Sequence, residues 1–335
     1  MLLQCTKMKK FIIDADTGSD DAVAILLALR DPDVEILGIT IVSGNVPLEL
    51  GILNARSTIE LCEQDIKVYA GSNKPFSREY KEIHNLDEFM NHVKSESPIS
   101  ASGQCVHGVD GMGDIGIYPK DETYEKKSAV DFIIDSINEQ PKEITIVTLG
   151  PLTNIAKAIE KDPSIVEKIK HCYVMGGTSD GSGNVSAAAE YNIWVDPEAA
   201  KIVFDSEIQI TMVGWDNSYK YAMLKEEEMI SLKSLKTKYA DFSVDIQKTL
   251  VDLTYKTYGF YGFDLPDPIT MAIALDNEII EESQQLDVIV DTRDGLTRGQ
   301  TIVDYFGVEN KHKNIRVVTK ASKQKFMDLL IKSLQ

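Results

Sequence analysis

Phe11-Ile12-Ile13-Asp14-Ala15-Asp16-Thr17-Gly18-Ser19-Asp20-Asp21 reads as a short apolar strand that ends in acids and turns at a glycine into a helix. The helix predicted from Asp21 to Leu29 is apolar nearly all round, the pattern of a helix buried on every side. Asp31-Pro32 breaks it, and Val34 to Val42 is a second strand. A helix follows from about Pro47 to Glu63, then a short strand from Lys67 to Ala70. Further strands are expected at Ile144–Leu149, Cys172–Met175 and Ile208–Val213, with helices around Ala129–Asn138, Leu152–Glu160 and Pro197–Phe204. This alternation predicts an α/β fold, a mostly parallel open sheet with helices on both faces and a Rossmann-like core.

Outside that alternation, Gly71 to Lys127 is long and weakly patterned, and is expected to be an excursion at the active site. Residues 225–263 read as helical and carry the aromatic group Tyr255, Tyr258, Phe260, Tyr261 and Phe263. There is no low-complexity linker and no internal repeat, so one domain is expected over residues 9–335, with residues 1–8 an extended start. Of 335 residues 43% are hydrophobic, yet no apolar run approaches the ~20 residues of a membrane span. Cys5, Cys62, Cys105 and Cys172 form no C-x-x-C pair and are expected to be reduced thiols of a cytoplasmic protein. A net charge of −18 argues against DNA or RNA as a partner, because phosphate binding needs a basic surface.

The acids of the opening stretch are the strongest chemical signal. Asp14, Asp16, Asp20 and Asp21 lie within eight residues, a density at which like charges repel unless something positive sits among them. A hard cation such as calcium takes six to eight oxygen ligands and suits such a set. A helix N-cap surrounded by surface acids explains Ser19 or Asp20, but not Asp14 and Asp16 at a strand end. A calcium loop of the EF-hand type fails on spacing, since its sixth position is Ser19 and its twelfth carries no glutamate. Polar, glycine-rich segments also follow other strands: Ser43-Gly44-Asn45, Gly150 to Asn154, Gly176-Gly177 through Asn184, and Gly214-Trp215-Asp216-Asn217. In open α/β sheets ligands bind at that carboxyl edge.

Taken in order, Ile12 to Ala22, Ile39 to Asn45, His107-Gly108-Val109-Asp110-Gly111-Met112-Gly113, Leu149 to Asn154, Met175-Gly176-Gly177, Glu190-Tyr191-Asn192, Asp196 to Ala200 and Asp267-Pro268 resemble the inosine–uridine nucleoside hydrolase family from about Lys9 to the C-terminus. The resemblance implies calcium-dependent hydrolysis of the N-glycosidic bond of a small-molecule ribonucleoside, in nucleoside salvage. Asp16, Asp21 and Asp267 would bind Ca2+ through carboxylates and Leu149 through its backbone carbonyl. Asp16 would also be the base that deprotonates the attacking water. Asp20 and Asn192 would hold the ribose 2′- and 3′-hydroxyls, Asn184 and Glu190 the 5′-hydroxyl. Asn45 would lie alongside the sugar, and Asp14 would support the loop. The expected assembly is a homo-oligomer, a dimer or tetramer.

One position departs from the family pattern. Where well-known members carry a histidine that protonates the leaving base, Leu265-Pro266-Asp267-Pro268 has Pro266, which donates nothing. Tyr255, Tyr258, Tyr261 and His107 are the candidates to replace it. The departure keeps open a nucleoside- or ribose-binding protein with little turnover. The opening stretch also fits the first motif of haloacid-dehalogenase-type phosphatases, with Asp14 as nucleophile, but the later strand ending in an acidic pair is missing.

Overall fold

The structure is a computed structural model and describes residues 8–76, 106–309 and 315–335. Strand β1 (Lys9–Ala15) leads into α1 (Ser19–Leu29), β2 (Val34–Ile41), α2 (Leu48–Leu61) and β3 (Val68–Ala70). After the excursion come α3 (Ala129–Glu139), β4 (Ile144–Thr148), α4 (Thr153–Lys161), β5 (His171–Met175), α5 (Tyr191–Val195), α6 (Pro197–Phe204), β6 (Ile210–Val213) and α7 (Trp215–Tyr221). A short hairpin of β7 (Leu224–Lys225) and β8 (Gly262–Phe263) brackets three helices, α8 (Glu226–Lys233), α9 (Lys238–Asp245) and α10 (Lys248–Tyr258). The chain continues with α11 (Pro266–Leu275), β9 (Ile280–Val290), β10 (Thr301–Asp304), β11 (Ile315–Ala321) and α12 (Lys323–Leu334).

Nine strands form one sheet in the order β10-β9-β11-β6-β5-β4-β1-β2-β3. From β3 to β11 neighbouring strands are parallel, and β9 and β10 add an antiparallel edge. The mostly parallel sheet agrees with the sequence reading. The C-terminal strands were not foreseen, and β9 shows why: its first half, Ile280-Glu281-Glu282-Ser283-Gln284-Gln285, is polar and largely exposed, so it lacks the apolar run of the central strands.

Alternate strand residues face opposite layers, as a pleat requires. Ile13, Val147, Tyr173 and Val213 pack with α1, α2, α11 and α12 on one face. Ile12, Ile146, Val174 and Met212 pack with α3, α4 and α6 on the other. Ser19 to Ala28 of α1 and Asp267 to Leu275 of α11 are buried throughout, and the two helices pack against each other. Chain direction changes sides between β1 and β4, since β2 and β3 lie beyond β1 while β5 and β6 lie beyond β4. That is the topological switch point, where the carboxyl ends of the strands open a crevice.

Candidate active site

The floor of the crevice is Asp14, at the end of β1. Its Oδ1 accepts hydrogen bonds from Thr40 Oγ1 at 2.5 Å and Asn154 Nδ2 at 2.8 Å. Asn154 also accepts from the Ser72 N–H at 2.8 Å and donates to the Ile41 carbonyl at 3.2 Å, so one amide ties together the ends of β1, β2 and β3. Asp14 is wholly buried, and burial pushes its pKa up to about 7. A carboxylate enclosed in this way is a strut. Its Oδ1 is committed to two hydrogen bonds that hold the strand ends together.

Asp16 is also fully buried. The Asn45 N–H donates to its Oδ2 at 2.5 Å. Glycines stand on both sides: a Cβ at Gly44 would come 2.1 Å from Oδ2, and one at Gly150 2.8 Å from Oδ1. Any larger residue at either position would displace this carboxylate.

Two helix N-termini supply the remaining acids. Gly18 caps α1, and its N–H donates to Asp21 Oδ2 at 2.8 Å. Asp20 and Asp21 occupy the first turn of α1, and Asp267 follows Pro266 in the first turn of α11. Proline suits that first position, where no N–H is needed. Because α1 and α11 pack side by side with these ends together, carboxylate oxygens of Asp20, Asp21 and Asp267 all lie within 4.8 Å of one another. Helix N-termini favour anions, but only by about 0.3–1 kcal/mol each, too little for several buried charges. No described lysine or arginine forms an ion pair with Asp16, Asp20, Asp21 or Asp267; the one cation-capable neighbour is His107, 3.6 Å from Asp20 Oδ1. Among the described residues, Asp20 Oδ1, Asp21 Oδ1 and Asp267 Oδ2 are buried without a hydrogen-bond donor. Burial, then repulsion from neighbouring acids, raises Asp16 and Asp267 well above the usual carboxylate range and Asp21 to about 7. An all-oxygen set with unsatisfied acceptors fits a bound hard cation. The oxygens that meet most closely are those of Asp20, Asp21 and Asp267; Asp16 is not in that group, though repulsion from Asp21 and Asp20 adds to the rise of its pKa.

The other wall is built from β4, β5 and α5. Asn192 Nδ2 donates to the Leu149 carbonyl at 2.7 Å and to the Met175 carbonyl at 3.2 Å. Glu190 caps α5, its carboxylate accepting from the N–H groups of Asn192 and Gly177 at 2.9 Å and of Ile193 at 3.3 Å. It is buried, and burial lifts its pKa to about 7. Asn184 Oδ1 accepts from the Tyr191 N–H at 2.9 Å, and Tyr191 Oη donates to the Gly44 carbonyl at 2.8 Å. The loop carrying Asn184 is thereby joined to the loop carrying Asn45.

Comparison with known proteins bears directly on this arrangement. Residues 11–328 match the family described as inosine-uridine preferring nucleoside hydrolase. The chain belongs to that family. Its members are N-ribosyl hydrolases. A uridine nucleosidase of Arabidopsis thaliana is 35% identical over 302 residues, covering 89% of this chain and 82% of the relative. An inosine-uridine preferring nucleoside hydrolase of Leishmania major is 34% identical over 330 residues, 98% of each chain. The solved structure of a purine-preferring ribonucleoside hydrolase from Gardnerella vaginalis superposes with a TM-score of 0.84 at 34% identity, over 97% of this chain and 98% of that one.

The hydrolase brings His107 to the acids and leaves the tyrosines outside. The loop from 106 to 116 is pinned to the start of α1 by Asn54, whose Nδ2 donates to the carbonyls of Thr17 and Asp110, both at 3.0 Å. Gly113 holds a left-handed φ of +70°, its N–H donates to the His107 carbonyl at 2.8 Å, and a Cβ there would lie 2.3 Å from the Ile246 carbonyl. His107 Nδ1 thus sits 2.8 Å from Ser19 Oγ. Tyr255 and Tyr261 stack on each other at 4.3 Å, and Tyr255, Tyr258 and Tyr261 are 47%, 71% and 44% exposed. None of the three contacts an acid of the cluster among the described residues.

Several site residues were not singled out in the sequence. Asn154 stood only inside a quoted motif. Gln247 carries no local signal, being 228 residues from the serine it binds. Asp264, just ahead of Pro266, accepts from Trp215 Nε1 at 2.9 Å and Ser218 Oγ at 2.8 Å, which fixes α7 against the loop that carries Asp267. Cys62 and Cys172 are free and buried, and Cys5, Cys105 and residues 1–7 lie outside the described residues. Among the described residues no helix is long and apolar enough to cross a membrane.

Proposed function

We propose that this hydrolase cleaves the N-glycosidic bond of ribonucleosides, yielding ribose and the free base, with calcium as its metal. The observation that carries the reading is the set of buried carboxylates at the paired ends of α1 and α11, three of whose oxygens lack any donor. Asp16, Asp21, Asp267 and the Leu149 carbonyl would hold the ion, and all four are oxygen donors of the kind calcium takes. Bound there, calcium supplies the positive charge that keeps these carboxylates ionised and a focus for polar oxygens of water and sugar.

The chain's own groups account for the rest. Asp16, held by the Asn45 N–H between two glycines, is aimed to take a proton from the water that attacks C1′. Asp20 and Asn192 hold the 2′- and 3′-hydroxyls, and Asn184 and Glu190 the 5′-hydroxyl, so the sugar is clamped at both ends. As the bond to the base lengthens, positive charge develops on the sugar in an oxocarbenium-like transition state, and the surrounding carboxylates stabilise it. Hydroxyl contacts that tighten at that point contribute to rate as well as binding. His107, beside Asp20, is the group best placed to meet the leaving base, while Tyr255, Tyr258 and Tyr261 are exposed and hydrogen-bond no acid of the cluster among the described residues.

The test is ribose release from inosine, uridine and the other ribonucleosides by a reducing-sugar readout, with calcium and after chelation. Ribose appearing only with the metal is expected. Pro266 supports a second reading, a nucleoside-binding protein with little turnover; tight binding of these ribonucleosides with no ribose in a single-turnover assay would establish it instead.

A further inference from the structure

Ser19, Gln247 and His107 form a hydrogen-bonded chain, of which the reading above uses only His107. Gln247 lies between α9 and α10 and is fully buried, as is Ser19. Its Nε2 donates to the Ser19 backbone carbonyl at 2.9 Å. A carbonyl only accepts, so the amide orientation is settled, and Oε1 is the atom 2.7 Å from Ser19 Oγ. Two oxygens that close require a hydrogen between them, and Oε1 has none. The single hydroxyl hydrogen of Ser19 therefore points to Gln247.

The direction of the next bond follows. His107 Nδ1 lies 2.8 Å from the same Oγ, which now has only lone pairs to offer. Nδ1 must then carry the ring hydrogen. Asp20 Oδ1, 3.6 Å from Nδ1, favours a hydrogen there as well. The Ser19 backbone N–H also faces Nδ1, but at 3.4 Å, well past the usual ~2.9–3.0 Å of such bonds, so it is the weaker claim on that nitrogen. No described residue hydrogen-bonds Nε2.

We propose that Ser19 and Gln247 are positioning residues that hold His107 as the Nδ1–H tautomer, so that Nε2 is the ring nitrogen presented to the departing base. The proposal rests on the hydrolase reading. When the ring also carries a proton on Nε2, that proton passes to the base as the C1′–N bond breaks and its electron pair moves onto the base. The ring returns to the Nδ1–H form that Ser19 and Gln247 already favour, and solvent water restores the second proton. Loss of the Nδ1 proton instead would leave the Nε2–H tautomer and deliver nothing to the base.

The experiment uses full-length, calcium-saturated protein labelled with 15N at histidine, with two-bond proton–nitrogen correlation spectra and His107→Asn to assign the resonance. Wild type is expected to show Nδ1–H for the neutral ring, and Ser19→Ala to shift His107 toward Nε2–H. An Nε2–H ring in wild type overturns the proposal whatever the activity. In kinetics, Ser19→Ala and Gln247→Met should lower kcat on uridine and inosine by roughly tenfold to a hundredfold, a fraction of the ~10²–10⁴ that general acid catalysis is worth. The rate on p-nitrophenyl riboside, whose leaving group needs no proton, should change far less, and Ser19→Thr should restore the natural substrates. Equal losses on both substrate classes would show a merely structural role and overturn the proposal. If wild type cleaves no ribonucleoside, the hydrolase reading fails while the tautomer spectrum still reports on the hydrogen-bond chain.

Discussion

Asp291 and Asp267 are both buried aspartates near the carboxyl edge of the sheet, and the chain treats them in opposite ways. Asp291, at the end of β9, accepts from Arg293 Nε at 2.8 Å, Arg293 Nη2 at 2.9 Å, the Arg293 N–H at 3.1 Å and Thr297 Oγ1 at 2.7 Å. The hydrogen bonds from Arg293 hold its carboxyl below the usual range. Asp267 has acids for neighbours, and burial together with Asp20, Asp21 and Asp16 pushes it the other way. Asp180 and Glu198 follow the first pattern, paired with Lys220 and Arg298 at 2.8 Å. Where the chain provides its own cation, the acid fastens a loop. Where no described lysine or arginine reaches them, the acids form a buried cluster that could hold a metal ion. Buried charges left unpaired cost several kcal/mol, so four such acids at one point are a cost retained for function.

The contrast is tested hardest by the sugar. If the uncompensated Asp20 serves a 2′-hydroxyl, 2′-deoxyinosine should lose roughly 10⁴ in kcat/KM against inosine, as sites built around a buried hydroxyl do. Comparable values for the two would remove Asp20 from that role. Next comes Asp16→Asn, which should lower kcat by at least roughly 10² to 10⁴ through loss of the base alone. The same substitution relieves repulsion among buried acids, so the calcium-free protein should melt higher than wild type even as activity vanishes. A lower melting temperature would mean that Asp16 is an ordinary structural acid.

Calcium itself should stabilise the wild-type fold by about 2.7 kcal/mol at a hundredfold excess over its Kd. Thermal melts with and without chelator read this directly, and no shift would sink the metal assignment. Asp291→Asn gives the converse. It should cost about 1–3 kcal/mol of stability, the range for lost hydrogen bonds to a buried charged group, and leave the calcium-induced shift intact. A further effect concerns pH. Burial, followed by Arg316 and Lys170, lowers the pKa of His171 from an ordinary 6.5 to about 4. Its folded pKa is depressed, so the unfolded chain takes the proton first, and stability falls as pH drops from about 6.5 toward 4. His171→Gln should flatten that part of the profile in melts across the acid range; an unchanged slope would place the acid sensitivity elsewhere.

Read alone, the alternation of apolar strands and helices from Phe11 to Val213 was enough to decide the class of fold. An apolar strand, an acidic turn at Gly18 and an all-apolar helix are local patterns, and each depends on neighbours a few residues apart. The same holds for Asp16 and Asp21, which announce themselves by density. What lay beyond the sequence is whatever depends on long-range contact. Strand β9 was hidden because its polar first half, with Glu281 and Glu282, breaks the apolar pattern of the central strands. Gly44 and Gly150 were legible as loop residues, but only the folded chain shows that each makes room for an Asp16 oxygen. Asp267 joins Asp20 and Asp21 because two buried helices pack with their N-termini together, a fact of tertiary packing. Gln247 settles the hydrogen of Ser19 from across the chain, since hydrogen-bond direction depends on which atoms meet in space.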